Sequence, residues 1–589
     1  MTELLHVSFY QIILFAFSCL LLTMNKRVRA RRGALSSVLN LNDIKILWFV
    51  SAASAVVAVF LPGLFSVVAA GLALYGTLVW LDALLFVQYR IEVNRQTIAW
   101  CFTGAKGLQK GLPHLFEIIR ATPGIMAIPV LWYLTLLVVH IELPEVVVGN
   151  WSGYLAAAVF AGLVLVILAA RTGHWQSAFF TAPSLLGNII ATDNFVSNDS
   201  LTIDEKHRIF VKPNIADSVR SPLFGQCQRA NVILITMESL GNYLQSPVNP
   251  DGIRSKIASR FRHHSWVSEQ HYCLCPNTTV STNQMYSGAY SNNPYNKEDS
   301  LYPGVAPKHL KTLKQQGYKT FFLDSADTGL YDYHKLLKRI GFDRVWGSKD
   351  LNGNGLKADY RLLNALDDLV HDIGDEPFFL HIINDQTHMP YEVVDSETYC
   401  RHTGTDARSV YMNAAEEADA VIDRFLNRLA EKIDLNNTIL MFTGDHGESF
   451  GEFGYSFHSN SVILPQMHVP FMLHHPNLTA RTISHSSHFD IFPTIFDLLG
   501  VEVSYPFIGH TLGTDERPYA YLFHSATLKG NTPANFGFLL DGELYWVDRL
   551  FNQVKHVQNN QCRPVTSKDQ REYICSLLYQ MLKQRAIMV

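Results

Sequence analysis

Up to about residue 172 the chain runs in long, nearly unbroken apolar stretches; beyond it the apolar runs shorten and alternate with longer segments of helical period. Five early stretches are long enough to cross a hydrocarbon core of about 30 Å: Leu4–Met24, Leu47–Leu64, Phe65–Gln88, Ala121–Ile141 and Tyr154–Ala170. The first has no basic segment ahead of it and is followed by Lys26, Arg27, Arg29, Arg31 and Arg32, which reads as an uncleaved span rather than a secretory signal. Pro62-Gly63 marks a tight hairpin between the second and third. Asp82 inside the third is a charge that hydrocarbon penalises, and it reads equally as packing polarity or as function.

Beyond this region the short runs Asn231–Met237, Thr320–Asp324, Phe378–Ile383, Thr438–Thr443 and Pro470–His474 predict buried strands. Between them Lys308–Gly317, Tyr360–Ile373, Tyr411–Lys432 and Asp490–Gly500 predict helices. The alternation predicts a three-layer α/β/α domain with a mostly parallel sheet. The expected organisation is a transmembrane domain of about five helices over 1–172, a connector with interfacial helices over 173–228, and a catalytic domain over 229–589.

Composition agrees with a membrane part: 48% of residues are hydrophobic and 17% charged, against about 25% charged in soluble domains. With 48 Lys and Arg against 52 Asp and Glu there is no basic field for a polyanion, so nucleic acid is not an expected partner. The basic loops Lys26–Lys45 and Arg90–Arg120 should face the cytoplasm and the acidic Glu142–Gly153 the outside. Five crossings then leave everything after Arg171 inside, in conflict with the chemistry below, which belongs outside; Ser177–Ala191 is the candidate for a sixth crossing or an interfacial helix. Six cysteines fall after residue 172, and disulfides and buried free thiols are equally good readings of them.

In open α/β sheets ligands gather at the carboxyl ends of the strands. The Asn231 run ends in Glu238-Ser239, and the Thr438 run ends in Gly444-Asp445-His446-Gly447. One acid or His at a strand end is more often a cap or surface residue. Two strands delivering carboxylates, with an imidazole and flanking glycines that permit close backbone approach, favour a divalent cation. The third piece is Asn277-Thr278-Thr279-Val280-Ser281 ahead of a helix. A hydroxyl there is usually an N-cap, but beside a cation it becomes a nucleophile near neutral pH.

These residues resemble the alkaline phosphatase and sulfatase superfamily, and within it the membrane-anchored phosphoethanolamine transferases and lipoteichoic acid synthases. With Thr278 on the sulfatase nucleophile, Ser281, Met285, Ser287 and Gly288 take matching positions, while Val280 and Thr282 replace a Pro and an Arg. A Thr cannot become formylglycine, so the resemblance implies a transferase rather than a sulfatase; Thr279 is the alternative nucleophile. It further implies Glu238, Thr278, Asp445 and His446 around Zn2+ or Mn2+, with His388 and His458 handling phosphoryl oxygens, protons or a second metal. Lys314–Gly347 and Ser487–Thr494 also look like family landmarks.

The implied reaction is a two-step transfer through a phosphothreonine. The donor is a membrane phospholipid and the acceptor an envelope glycan or lipid, at the cytoplasmic membrane with the catalytic domain on the periplasmic side. Tyr331-Asp332-Tyr333 stands where lipoteichoic acid synthases have a Trp-Asn-Arg stretch, which favours phosphoethanolamine over phosphoglycerol as the headgroup. A phosphoester hydrolase and a catalytically dead sensor of the same fold are the other readings.

Overall fold

The computed structural model describes residues 2–31, 41–60, 65–89, isolated positions and short turns between 93 and 134, and 220–584 apart from internal stretches of which 291–306 and 527–534 are the longest. It divides into two compact units, Met1–Phe195 with Asp548–Gln553 and Val196–Val547 with Val554–Val589.

The first unit holds helices α1 (Thr2–Arg31), α2 (Leu41–Phe60) and α3 (Phe65–Tyr89), which coincide with the first three apolar stretches. Helix α1 runs on through the basic residues as far as Arg31, whose long side chains are good helix formers. Asp82 resolves as packing polarity. Its Oδ2 accepts from Asn25 Nδ2 at 3.0 Å and Arg29 at 3.1 Å, its Oδ1 accepts the Val93 amide at 2.9 Å, and Arg29 also lies over the Phe86 ring. A buried carboxylate so engaged ties α1 to α3.

Among the described residues, no helix is long and apolar enough to cross a membrane; the continuously described side chains of α1, α2 and α3 cover only 14–29, 47–56 and 74–87. At the fourth stretch a 3-10 turn occupies Pro123–Met126. The fifth stretch, the Ser177–Ala191 segment and the connector up to residue 219 lie outside the described residues.

In the second unit a nine-stranded sheet is formed by β1 (Asn231–Met237), β2 (Ser265–Tyr272), β3 (Lys319–Asp324), β4 (Arg344–Trp346), β5 (Phe378–Ile383), β6 (Thr438–Gly444), β9 (His468–Val469), β10 (Phe471–His474) and β11 (Arg481–Ser487). Its order is β11-β2-β10-β6-β1-β5-β3-β4, with β9 on β2. β1 is parallel to β5 and β6, and β3 to β4 and β5, while β10 is antiparallel to both neighbours. The sheet is therefore mixed but mostly parallel, as expected.

Both faces of the central strands are dry, which explains why β1, β3, β5 and β6 read as apolar runs. Val232, Leu234, Phe322 and Phe379 enter one core with helices α4 (Thr278–Ser287), α5 (His309–Gln315), α6 (Tyr333–Ile340) and α10 (Ile491–Leu499). Ile233, Ile235, Phe321, Leu323 and Leu380 enter the other with α7 (Leu366–Ile373) and α8 (Ala407–Ala430). The short helix α9 spans Leu464–Met467.

Three expectations change. The helix over Tyr360–Ile373 is a 3-10 segment, Ala358–Ala365, followed by α7. Asp359 in its first turn accepts the Asp385 amide at 2.8 Å and the Ser325 hydroxyl, which holds that turn to the strand-end loops. The six cysteines after residue 172, Cys227, Cys273, Cys275, Cys400, Cys562 and Cys575, are all free thiols. Beyond Gly500 stands a separate five-stranded sheet, β12 to β16 in chain order (Ala520–His524, Asn535–Leu540, Glu543–Asp548, Gln553–Gln558, Gln561–Pro564), with helix α11 (Lys568–Gln584).

Candidate metal and nucleophile site

Neighbouring strands β1 and β6 end level, with Met237 opposite Gly444, so Glu238 and Asp445 leave the sheet side by side. The chain then turns sharply in both. Ser239 is left-handed (φ 58°), and its amide donates to Asp445 Oδ1 at 2.9 Å. A Cβ on Gly444 would lie 2.1 Å from the Leu240 carbonyl and one on Gly447 2.0 Å from that of Pro465, so only glycine admits this approach. Two-residue strands β7 (Ser449–Phe450) and β8 (Ser456–Phe457) follow as a hairpin that delivers His458.

Thr278 is the first residue of α4, and the cap is its neighbour: Asn277 is extended, and its Oδ1 accepts the Val280 amide at 3.2 Å. The capping role that competes for a hydroxyl at this position is therefore filled by Asn277. Asn277→Ala is expected to lower stability by about 1 kcal/mol, read as a lower urea midpoint of the second unit; an unchanged midpoint contradicts the cap.

With the cap assigned, Thr278 Oγ1 faces Glu238 Oε2 at 3.1 Å and His446 Nε2 at 3.2 Å. His446 Nε2 is also 3.4 Å from Asp445 Oδ2 and 3.6 Å from Glu238 Oε1. His446 Nδ1 lies 3.0 Å from the Gly447 carbonyl, which only accepts, so Nδ1 carries the proton and Nε2 turns a bare lone pair to the other three residues. Asp445 spends Oδ1 on the Ser239 and His446 amides, while its Oδ2 is buried without a hydrogen-bond partner. That is costly unless a cation completes it.

The donor set fits a divalent ion. Ligands bound at about 2.0–2.1 Å in a tetrahedron stand roughly 3.3–3.4 Å apart, and the separations here are 3.1 to 3.6 Å. The electrostatics agree. Burial works to raise the Glu238 carboxyl, but His446, His388, His458 and the Ser239 hydroxyl outweigh it and hold it at about 2. Burial, with that carboxylate beside it, pushes Asp445 well up, and burial followed by His458 pushes His446 down to about 3. Two carboxylates this close and this deeply buried disfavour each other's ionisation; a divalent cation would let both ionise.

Glu238, His446 and His458 bring donor atoms within 4.8 Å of one another. The His446 and His458 rings are 4.4 Å apart, and the half-buried His388 lies 5.8 Å from His458. His388 Nδ1 meets the Met389 carbonyl at 2.9 Å, and His458 Nδ1 lies 3.2 Å from Oε2 of the fully buried Glu448. The sequence does not single out Glu448, although it sits two residues past His446; nothing local distinguishes a carboxylate that orients an imidazole ten residues on. For Thr279, the alternative nucleophile, no side-chain hydrogen bond to these residues is found among the described ones.

Residues 230–501 match the sulfatase family model. This stretch is a sulfatase-family domain. It carries every site residue named above, from Glu238 to His458. The chain is similar to the lipoteichoic acid synthase-like protein YvgJ of Bacillus subtilis, 23% identical over 60% of this chain and 61% of that one. It is also similar to the lipoteichoic acid synthase of Staphylococcus saprophyticus, 22% identical over 47% of this chain and 46% of that one. The chain thus spans about half to three fifths of the curated relatives it matches. Among solved structures, the lipoteichoic acid synthase LtaP of Listeria monocytogenes superposes with a TM-score of 0.49 at 16% identity, covering 64% of this chain and 96% of that one.

Proposed function

We propose that this protein is a metal-dependent phosphotransferase that takes the phosphate-bearing headgroup of a membrane phospholipid onto Thr278 and passes it to an envelope glycan or lipid. The observation that carries this reading is the Thr278 hydroxyl, free of capping duty and 3.1–3.2 Å from Glu238 and His446. Glu238, Thr278, Asp445 and His446 would hold Zn2+ or Mn2+, with His458 adjoining. Such an ion acidifies a hydroxyl it binds and neutralises charge on a phosphoryl group.

Thr278 Oγ, its proton released to solvent, forms a bond to phosphorus as the bond from phosphorus to the diacylglycerol oxygen breaks, leaving the headgroup phosphate on the threonine. An acceptor hydroxyl then displaces Thr278. His458, oriented through Nδ1 by Glu448, and His388 offer their other ring nitrogens to give a proton to the departing oxygen and take one from the acceptor. The apolar N-terminal third supports a multi-pass anchor in the cytoplasmic membrane with the catalytic unit on the periplasmic side, beside the donor lipid.

The names of the relatives support phosphoglycerol as the headgroup. One observation favours phosphoethanolamine as a second reading. Asp324, buried at the end of β3, lies two strands from Glu238, about 10 Å away at the usual strand spacing. Burial pushes its carboxyl well up against the Ala326 amide, and Asp385, Glu238 and Asp359 push the same way. Tyr333, which stands in place of an Arg, meets Thr282 one turn along α4 at 3.0 Å. An acid in that place suits an ammonium group better than a second anion.

The test is to incubate the full-length protein with vesicles of phosphatidylglycerol or phosphatidylethanolamine and follow diacylglycerol release. Consumption of phosphatidylglycerol alone is the expected result under the first reading, and of phosphatidylethanolamine alone under the second. Release of free headgroup at an undiminished rate without acceptor would identify a hydrolase, and consumption of neither lipid by metal-loaded protein contradicts the proposal.

A further inference from the structure

Two landmarks of the sequence, Ser281 and the stretch beginning Ser487-His488, have no part in the reaction above, yet they meet directly behind it. His488 is 1% exposed. Its Nε2 lies 3.0 Å from the carbonyl of Gly444, and its Nδ1 lies 3.0 Å from Ser281 Oγ. Ser281 Oγ is in turn 2.7 Å from the carbonyl of Asp445. A carbonyl only accepts, so Nε2 carries the ring proton and Nδ1 is left as an acceptor in the neutral ring; the single Ser281 proton is shared between Nδ1 and the Asp445 carbonyl.

The ring itself is held firmly. Ser487 and Asp490 form a reciprocal capping box at the 3-10 turn His488–Asp490, Asp490 also takes the His510 amide at 2.9 Å, and His271 flanks the His488 ring at 5.2 Å. Ser281 is three residues after Thr278, on the same side of α4 and one turn deeper. One imidazole therefore bridges the last residue of the strand that supplies Asp445 and His446 and the first turn of the helix that supplies Thr278.

We infer that His488 is a positioning residue: through Ser281 it fixes the offset between the Gly444–His446 turn and α4, and so the distance from Thr278 Oγ to His446 Nε2. Other tethers hold α4 farther along, Thr282 to Tyr333 at 3.0 Å and Tyr286 to His381 at 2.8 Å, with His381 on Thr236 at 2.8 Å. Of these tethers, only the Ser281 contact reaches the turn that carries the metal-binding pair. A slip of one residue along a helix is about 1.5 Å, and a misplacement of about 1 Å at a reacting centre costs on the order of 100-fold in rate.

This inference rests on the proposed attack by Thr278. Its test compares full-length wild type, Ser281→Ala, His488→Gln and the double variant by steady-state turnover of the donor lipid, with thermal melting in parallel. Each single change is expected to lower kcat by roughly 30- to 100-fold with the donor KM within about twofold, and the double variant is expected to be no slower than the slower single one. Should His488→Gln not fold, Ser281→Ala, which removes one hydroxyl, decides alone.

Unchanged kcat in folded Ser281→Ala, a change confined to KM, or losses that multiply in the double variant would each overturn the inference. Failure of the reading beneath it would be visible separately, as wild type that turns over lipid without any adduct on Thr278.

Discussion

Thr278→Ala is expected to abolish the proposed headgroup transfer while leaving the fold and the proposed cation in place: the expected loss in kcat is on the order of 1,000-fold or more, as for other nucleophile deletions. The fold survives because Asn277, not Thr278, caps α4, so deleting the hydroxyl leaves no helix amide without its acceptor. The cation survives because Glu238, Asp445 and His446 remain. Thr278→Ser keeps the oxygen and is expected to retain measurable transfer. Measurement of diacylglycerol release checks both, and an alanine variant within tenfold of wild type would remove Thr278 from the mechanism.

Asp445→Asn is expected to empty the site. The asparagine carbonyl keeps the Ser239 and His446 amides that now bind Oδ1. The amide nitrogen then takes the place of Oδ2, a site oxygen that is buried without a hydrogen-bond partner. It carries no negative charge and turns hydrogens toward His446 Nε2. Metal affinity is expected to fall by about two orders of magnitude or more, with activity falling alongside it. Elemental analysis of protein equilibrated with Zn2+ or Mn2+ reads the first effect directly: near one ion per chain in wild type and well below one in the variant. Equal metal content in the two would mean that the orphaned oxygen serves something other than a cation.

The central strands were legible because both of their faces are buried, which leaves the runs in β1, β3, β5 and β6 dominated by apolar residues, with the polar His381 of β5 bonded inside the fold to Thr236 and Tyr286. The strand-end acids were legible for the same reason, since a carboxylate directly after such a run has nowhere to go but the ligand edge. Glycine flanks around Asp445-His446 carried real information, because Gly444 and Gly447 each stand where a Cβ would strike a carbonyl.

What sequence did not yield lies in pairs far apart in the chain or in strands of mixed polarity. β2, Ser-Trp-Val-Ser-Glu-Gln-His-Tyr, has two exposed polar residues among buried ones and gave no strand pattern, though it leads into the nucleophile loop. The sheet β12 to β16 was missed because its later strands, such as Gln553–Gln558, are half-exposed and carry no continuous apolar run. A helix was expected after Thr278, but α4 is nearly all buried yet rich in Thr, Ser, Asn and Gln, so no apolar period marks its extent or its buried faces. Its polar side chains face partners such as Tyr333, His381 and His488, which only the fold brings near. The choice between cap and nucleophile at Thr278 likewise needed the side chain of Asn277 to be seen.

The most direct measurement is peptide mapping of wild-type, metal-loaded protein trapped with donor phospholipid in the absence of acceptor. The headgroup phosphate is expected on the Thr278 side chain. An adduct on Thr279, or steady consumption of lipid with no phosphorylated residue at all, would contradict it.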